Sequence, residues 1–184
     1  MKKGNVLCLV AVLSMMFMAG CATTPTIGYE NKSPRQASKN VSVYLESFED
    51  GRTASEKGIL GGMYNGYNMR GGNVMEPPRM IESLKNTFKS ELQAAGYNLV
   101  EDKKDLSIKA TLISLTCDTR INADAAINLR VVLVDKGNEI FSKAYAGQAS
   151  VFQLLGSDTS GAINQSIKKT TEQLIKDLDE YIST

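Results

Sequence analysis

AAINLRVVLVDKGNEIFSKAYAGQASVF, residues 125–152, holds two long apolar runs separated by Asp135-Lys136-Gly137-Asn138. A short break of turn-forming residues between two such runs signals a β-hairpin. Just upstream, LSIKATLISLTC (residues 106–117) alternates Leu106, Ile108, Ala110 and Leu112 with other positions, then shifts phase to Ile113, Leu115 and Cys117. Alternation with period two marks a strand. The phase change predicts a bulge, or a strand covered on both faces. Asn122-Ala123-Asp124 offers a second reversal between the two stretches. Three long strands in an antiparallel meander are therefore expected.

Working outward, VSVYLESF (41–48) sets Val41, Val43 and Leu45 against Ser42, Tyr44 and Glu46, the pattern of a half-buried strand. A helix is predicted over about 78–95. Pro77 and Pro78 suit its start and Gly96 its stop, and Met80, Ile81, Leu84, Phe88 and Leu92 form one apolar stripe. YNLVE (97–101) adds a short strand. A second helix is predicted over about 158–182, capped by Ser157 or Asp158, with Ile163, Ile167, Leu174, Leu178 and Ile182 on one face and Ile175 and Tyr181 at its border. The order β-α-β-β-β-β-α predicts an α+β fold: a two-layer sandwich of a mostly antiparallel sheet with both helices on one face. Residues 41–184 suffice for a single domain with its own core.

KGILGGMYNGYNMRGGNV (57–74) interrupts this order with six glycines and, between them, Met63, Tyr64, Tyr67 and Met69. It carries neither a P-loop nor a GxGxxG pattern, so it has no claim to phosphate binding. Two readings stand. Glycine makes ordering costly, which favours a mobile surface connection. Exposed tyrosine and methionine are adaptable contact surface, which favours a partner-docking loop built on those four residues.

The amino terminus has a different character. Met1-Lys2-Lys3 precedes VLCLVAVLSMMFM (6–18), a run without charge, and Ala19-Gly20 follow as small residues before Cys21. This is the layout of a secretory signal peptide over 1–20. The apolar run is shorter than the roughly 20 residues a spanning helix needs. Phe17-Met18-Ala19-Gly20-Cys21 also resembles the lipobox of bacterial lipoproteins, with Met18 where that family more often has leucine. The resemblance implies cleavage before Cys21, a diacylglyceryl group on its sulfur, usually acylation of the new amine, and hence a membrane anchor. By resemblance to enterobacterial sorting, Ala22 rather than aspartate after the cysteine implies the outer membrane, on its periplasmic side. Residues 22–40 contain Pro25, Pro34 and many small polar residues, the composition of a flexible tether. Its r.m.s. span as a coil would be roughly 24 Å.

Composition narrows the function classes. Loss of residues 1–20 removes Lys2 and Lys3 and turns the formal charge of +1 into −1. A chain this near neutrality lacks the basic footprint of a nucleic-acid binder. Of three cysteines, Cys8 leaves with the signal and Cys21 carries lipid, so Cys117 has no partner for an internal disulfide. Its place in an apolar strand favours a buried thiol over a reactive one. Histidine is absent, which removes Ser-His-Asp and Cys-His catalysis and the commonest transition-metal ligand. The acidic pair in FEDGR has a simpler use in an Asp-Gly turn. No enzyme, cofactor or metal site is expected.

With these pieces in place the chain resembles the YajG-like family of bacterial lipoproteins. The likeness is carried by the lipobox, VSVYLESFEDGRT with its Asp/Gly-Arg-Thr turn, LKNTFKSELQAAGYNLV with its Gly-Tyr before a strand, VVLVDKGNEIFSKAY, and the final helix. It implies the α+β fold and assigns no catalytic residues. The loop at 57–74 is longer and richer in glycine than that family implies. More distantly, the element order is similar to accessory lipoproteins of envelope lipid-transport systems. The expected function is a non-enzymatic outer-membrane-anchored periplasmic lipoprotein, binding or assisting another, unidentified envelope protein. The alternative is an accessory subunit of lipid transport.

Overall fold

Leu106–Thr119 is the strand around which the domain is organised, and the reason lies in its length and in the two kinds of neighbour it accepts. A computed structural model describes residues 21–25, 39–102, 106–152 and 159–183. Its elements in chain order are β1 (Cys21–Thr23), β2 (Ser42–Asp50), a 3-10 turn (Ala54–Glu56), β3 (Ile59–Tyr64), β4 (Arg70–Met75), α1 (Met80–Ala94), β5 (Asn98–Val100), β6 (Leu106–Thr119), β7 (Asn122–Asp135), β8 (Asn138–Phe152) and α2 (Thr159–Ser183). On one edge β6 pairs antiparallel with β7, which pairs antiparallel with β8, as the meander requires. Lys136 and Gly137 both take positive φ, 50° and 86°, the geometry of a type I′ hairpin. The other reversal uses Arg120-Ile121, closed by the Arg120 N–H on the Asn122 carbonyl at 2.8 Å. Asn122–Asp124 lie already inside β7, not in the turn expected of them.

The phase change in β6 is a bulge: the β6–β7 register shifts between Leu112 and Ser114, around Ile113. It switches the core-facing set from Ile108, Ala110 and Leu112 to Leu115 and Cys117.

The other edge of β6 corrects the expected topology. The sheet is mixed, not mostly antiparallel: β2 runs parallel to both β5 and β6, and β3 also meets β6 in parallel. A helix between two strands forces a crossover, and crossover strands of one sheet are parallel. Here α1 stands between β2 and β5. β2 takes the half of β6 at residues 107–112, and β3 reaches Thr119. The hairpin β3–β4 is absent from the β-α-β-β-β-β-α order. Cys21–Thr23, expected at the head of a flexible tether, instead run parallel to Gly72–Val74 of β4. The rest of that tether, 26–38, lies outside the described residues, as do the signal segment 1–20 and the expected caps Ser157 and Asp158.

Both helices cover one face, α1 against β2 and β5, α2 against β7 and β8, and they touch each other. Met80, Leu84, Phe88 and Leu92 of α1 are buried, and the Phe48 and Phe88 rings meet at 5.7 Å. The helix starts at Met80, two residues later than expected, because Arg79 before it takes a left-handed φ of 57°. It ends in a Schellman pattern, Gly96 N–H to Gln93 O and Tyr97 N–H to Leu92 O. Lys39 N–H bonds the Gly96 carbonyl, its ammonium lies 4.5 Å from the Tyr97 ring centroid, and both Lys39 and Tyr97 contact the Asp179 carboxylate. That contact ties the entry of the domain to α2. Ile163, Ile167, Leu174 and Leu178 are buried as expected, while Ile182 is largely outside.

Ser166, Thr170 and Thr171 are buried on the same helix, each hydroxyl donating to a carbonyl one turn back. They face β8 at Gly147, where a Cβ would lie 2.0 Å from the Ser166 carbonyl oxygen and 2.2 Å from Thr170 Oγ1. Gly147→Ala should therefore push α2 off the sheet and lower stability by about 1–3 kcal/mol, the cost of overpacking. A thermal melt checks this, and an unchanged midpoint would show that helix and sheet are not in that contact.

Candidate functional site

The segment read as a mobile connection or a docking loop is mostly strand. β3 and β4 pair antiparallel from Ile59↔Met75 to Tyr64↔Arg70. The turn between them is held by Asn65, whose Oδ1 accepts the N–H groups of Tyr67 and Met69 at 3.0 Å each, while its own N–H reaches the Met69 carbonyl at 3.0 Å. Two of the glycines serve proximity rather than freedom. A Cβ on Gly61 would stand 2.2 Å from the Cys117 carbonyl oxygen of β6, and one on Gly62 would strike the Tyr64 ring at 2.7 Å. The Gly62 N–H donates to Asp118 Oδ1 at 2.7 Å, fastening β3 to β6.

The four candidate docking residues separate accordingly. Met63 is partly buried against the core. Tyr64 is half-buried, with the Arg120 guanidinium 4.9 Å from its ring centroid. Only Tyr67, 87% exposed, and Met69, 59% exposed, project from the turn.

Register places Cys21 beside them. One continuous row crosses six strands: Cys21 opposite Gly72, Gly72 opposite Met63, Met63 opposite Thr119, Thr119 opposite Ala123, and Ala123 opposite Val151. Among the described residues, the β3–β4 turn, the Arg120-Ile121 turn and Phe152 at the end of β8 lie beyond this row. Ile121 is 68% and Phe152 62% exposed. Sequence reading passed over both. The available signal was Ile121 itself, an apolar residue in a two-residue turn, where no core position asks for one.

What holds the hairpin in this place is Arg52. Its side chain has no solvent exposure. Nε and Nη2 donate to the two oxygens of Asp50 at 2.9 and 3.0 Å, Nη2 also reaches Glu76 Oε2 at 3.0 Å, and Nη1 reaches the Glu56 carbonyl at 3.3 Å. Glu76 Oε2 in turn accepts the Gly58 N–H at 3.0 Å. The end of β2, the 3-10 turn, the start of β3 and the end of β4 thus share one cation. The hydrogen bonds from Arg52 hold the Asp50 carboxyl at about 2, below its ordinary value of 3.8, against the opposing effect of burial. The Asp-Gly turn expected of FEDGR is not there: Asp50 ends β2, the Gly51 N–H still bonds the Leu112 carbonyl of β6 at 2.9 Å, and Asp50 serves instead as half of this ion pair.

Cys117 is fully buried, and burial, assisted by Asp118 and Asp124, pushes its thiol up to about 12. The thiolate, the nucleophilic form, is therefore disfavoured. Among the described residues no group of three or more cysteine, aspartate or glutamate side chains is placed to hold a metal ion, and no helix is long and apolar enough to cross a membrane.

Two outcomes follow. The folded Asp50 value lies below the unfolded one, so its contribution is complete above about pH 4. It is then lost as pH falls towards about 2. An acid titration of the melting temperature should show that loss in the natural sequence and a shallower one in Asp50→Asn. Arg52→Met should take the cation from Glu76 and leave Asp50 only the half-exposed Lys57 ammonium at 3.3 Å, at a cost of about 3–5 kcal/mol. Hydrogen exchange should accelerate first in 59–75, and equal acceleration across β6–β8 would refute the local role of Arg52.

No protein-family model and no curated protein matches the sequence. Solved structures resemble it in shape. A Xanthomonas campestris protein of the DUF330 family aligns with a TM-score of 0.53 at 10% identity over 88% of this chain and 99% of its own. A hypothetical protein from Chlamydia trachomatis aligns at 0.44, with 8% identity, 80% of this chain and 96% of its own. A minor lipoprotein from Acinetobacter baumannii aligns at 0.39, with 14% identity, 76% of this chain and 93% of its own. At these identities the likeness is one of fold: the chain has the α+β architecture of the DUF330 protein.

Proposed function

We propose that the protein is a lipid-anchored envelope lipoprotein of the YajG-like kind, held on the periplasmic side of the outer membrane, where its domain binds or assists another envelope component without catalysis. The observation that carries this reading is Ala19-Gly20-Cys21 closing an uncharged run behind Lys2 and Lys3. The structure adds support in two ways. The Asp50-Gly51-Arg52-Thr53 stretch, part of the YajG-like resemblance, has a physical role as the seat of the hairpin. Tyr145 and Lys143 on Asp177, the polar cluster between β8 and α2, satisfy one another and tie the helix to the sheet.

The lipid-transport alternative needs an apolar groove between sheet and helices. The depression lined by Phe141, Lys143, Asp177, Glu180, Tyr181 and Ile182 lies there, but it is open and three of its residues are charged. Phe141, Tyr181 and Ile182 give it an apolar side, but a lipid tail lying there would stay open to solvent.

Cys21→Ser should abolish incorporation of labelled fatty acid and leave an unprocessed precursor. A variant still cut before residue 21 and still tightly membrane-bound would sink the anchor. Ala22→Asp should move the protein towards the inner membrane in an enterobacterial host, read by density fractionation of the envelope. Unchanged fractionation would remove the outer-membrane assignment and leave the anchor standing.

A further inference from the structure

We infer that the end of the sheet carrying Tyr67, Met69, Ile121 and Phe152 is seated in the lipid surface to which Cys21 is attached, so that the anchor and these side chains act as one membrane contact. The inference rests on the acylation proposed for Cys21 and goes beyond it, because an anchor alone says nothing about which face of a domain meets the bilayer.

Three observations converge. First, the four side chains are 87%, 59%, 68% and 62% exposed and come from three separate parts of the chain, yet all lie just beyond one row of the sheet. Among the described residues they are the most exposed of the large apolar side chains; Ile59, Ile140 and Ile182, elsewhere on the surface, are 46%, 38% and 38% exposed. Second, Cys21 belongs to that same row through its pairing with Gly72. Neighbouring strands are about 4.8 Å apart, so Thr119, three strands along, lies roughly 14 Å from the Cys21 backbone. β1 leaves no slack that would let the domain swing this end away from lipid. Third, the charged residues in the two turns are Arg70 and Arg120. Arg70 is held to Asn73 Oδ1 at 2.7 Å and Arg120 over the Tyr64 ring. Among the described residues the nearest carboxylates along the sheet, Asp118 and Asp124, stand one step further from the end, and Asp118 is engaged by the Gly62 N–H. Apolar and aromatic tips with guanidinium groups just above them match the interface, where rings and aliphatic chains enter the acyl boundary and cations meet phosphates. Stable attachment commonly combines acyl chains with a second signal of this kind.

The sequence contains no tryptophan, so a single introduced indole reports on its own site. The mature acylated protein is reconstituted into vesicles of phosphatidylethanolamine and phosphatidylglycerol, as Tyr67→Trp, as Phe152→Trp, and as Ile140→Trp near the opposite end of β8. Lipids brominated near the top of the acyl chain should quench Tyr67→Trp and Phe152→Trp about twofold or more, with a blue shift, and leave Ile140→Trp unchanged. Protein that is acylated and floats with the vesicles but shows all three indoles unquenched overturns the seating and leaves the anchor intact. A photocrosslinker at residue 67 that captures an envelope protein in intact cells, without indole quenching in pure lipid, means that this end docks on a protein and also overturns it. Protein without an acyl group that fails to float overturns the anchor, and this inference falls with it.

Discussion

The Arg52 guanidinium takes a positive charge to a place without solvent, and four chain segments are arranged around that fact. A buried cation left unpaired is costly, so Asp50, Glu76 and the Glu56 carbonyl must all be within reach at once. Those groups come from the end of β2, the end of β4 and the 3-10 turn between β2 and β3. The requirement fixes the angle at which the chain leaves β2. It also decides that β3 continues along the same edge of β6 that β2 has been using. The hairpin is thus attached by electrostatics at its base and by close packing of Gly61 on Cys117 further up.

The long strands and helices were legible in the sequence because they follow from short-range rules. The alternation of β6 and its phase shift at Ile113, the turn at Lys136-Gly137, the stripe of α1 and its stop at Gly96 each depend on a few neighbouring residues. Pairing direction does not. Reading β2 as one more strand of a mostly antiparallel sheet neglected the crossover that α1 imposes. The short length of β5, three residues, gave no pattern from which to recover it.

The hairpin was hidden for a different reason. A count of glycines measures the entropy lost on ordering, and by that measure residues 57–74 read as loop. Whether glycine is present for freedom or for close approach depends on what comes near it. The Cys117 carbonyl is 56 residues from Gly61 in the chain and 2.2 Å from its would-be Cβ. No local pattern contains that distance. The same holds at Gly147, whose neighbour Ser166 lies on α2. In both places the smallest side chain lets backbone approach backbone, and the tighter contact substitutes for the apolar burial that a larger residue would supply. Of the candidate site, Cys21 is proposed from a processing motif read along the chain, and its place beside Gly72 of β4 comes only from register. Tyr67 and Met69 were visible as residues but not as a surface, since Ile121 and Phe152 join them only through register.

That register changes what an acyl group at Cys21 would do mechanically. A domain on a coil of 19 residues could turn freely, and its surface would meet lipid at random. Pairing of Cys21–Thr23 with Gly72–Val74 removes the coil between the proposed anchor and the sheet. The strand direction would then be set relative to the bilayer, and the Asn65–Met69 turn, braced by four hydrogen bonds at Asn65, could not fold back to escape it. Orientation would come from a ladder of backbone bonds rather than from side-chain affinity. The open face of the sheet, with Lys109, Arg130 and Gln148 exposed on it, would then stand upright from the lipid surface, presented to whatever component the protein meets.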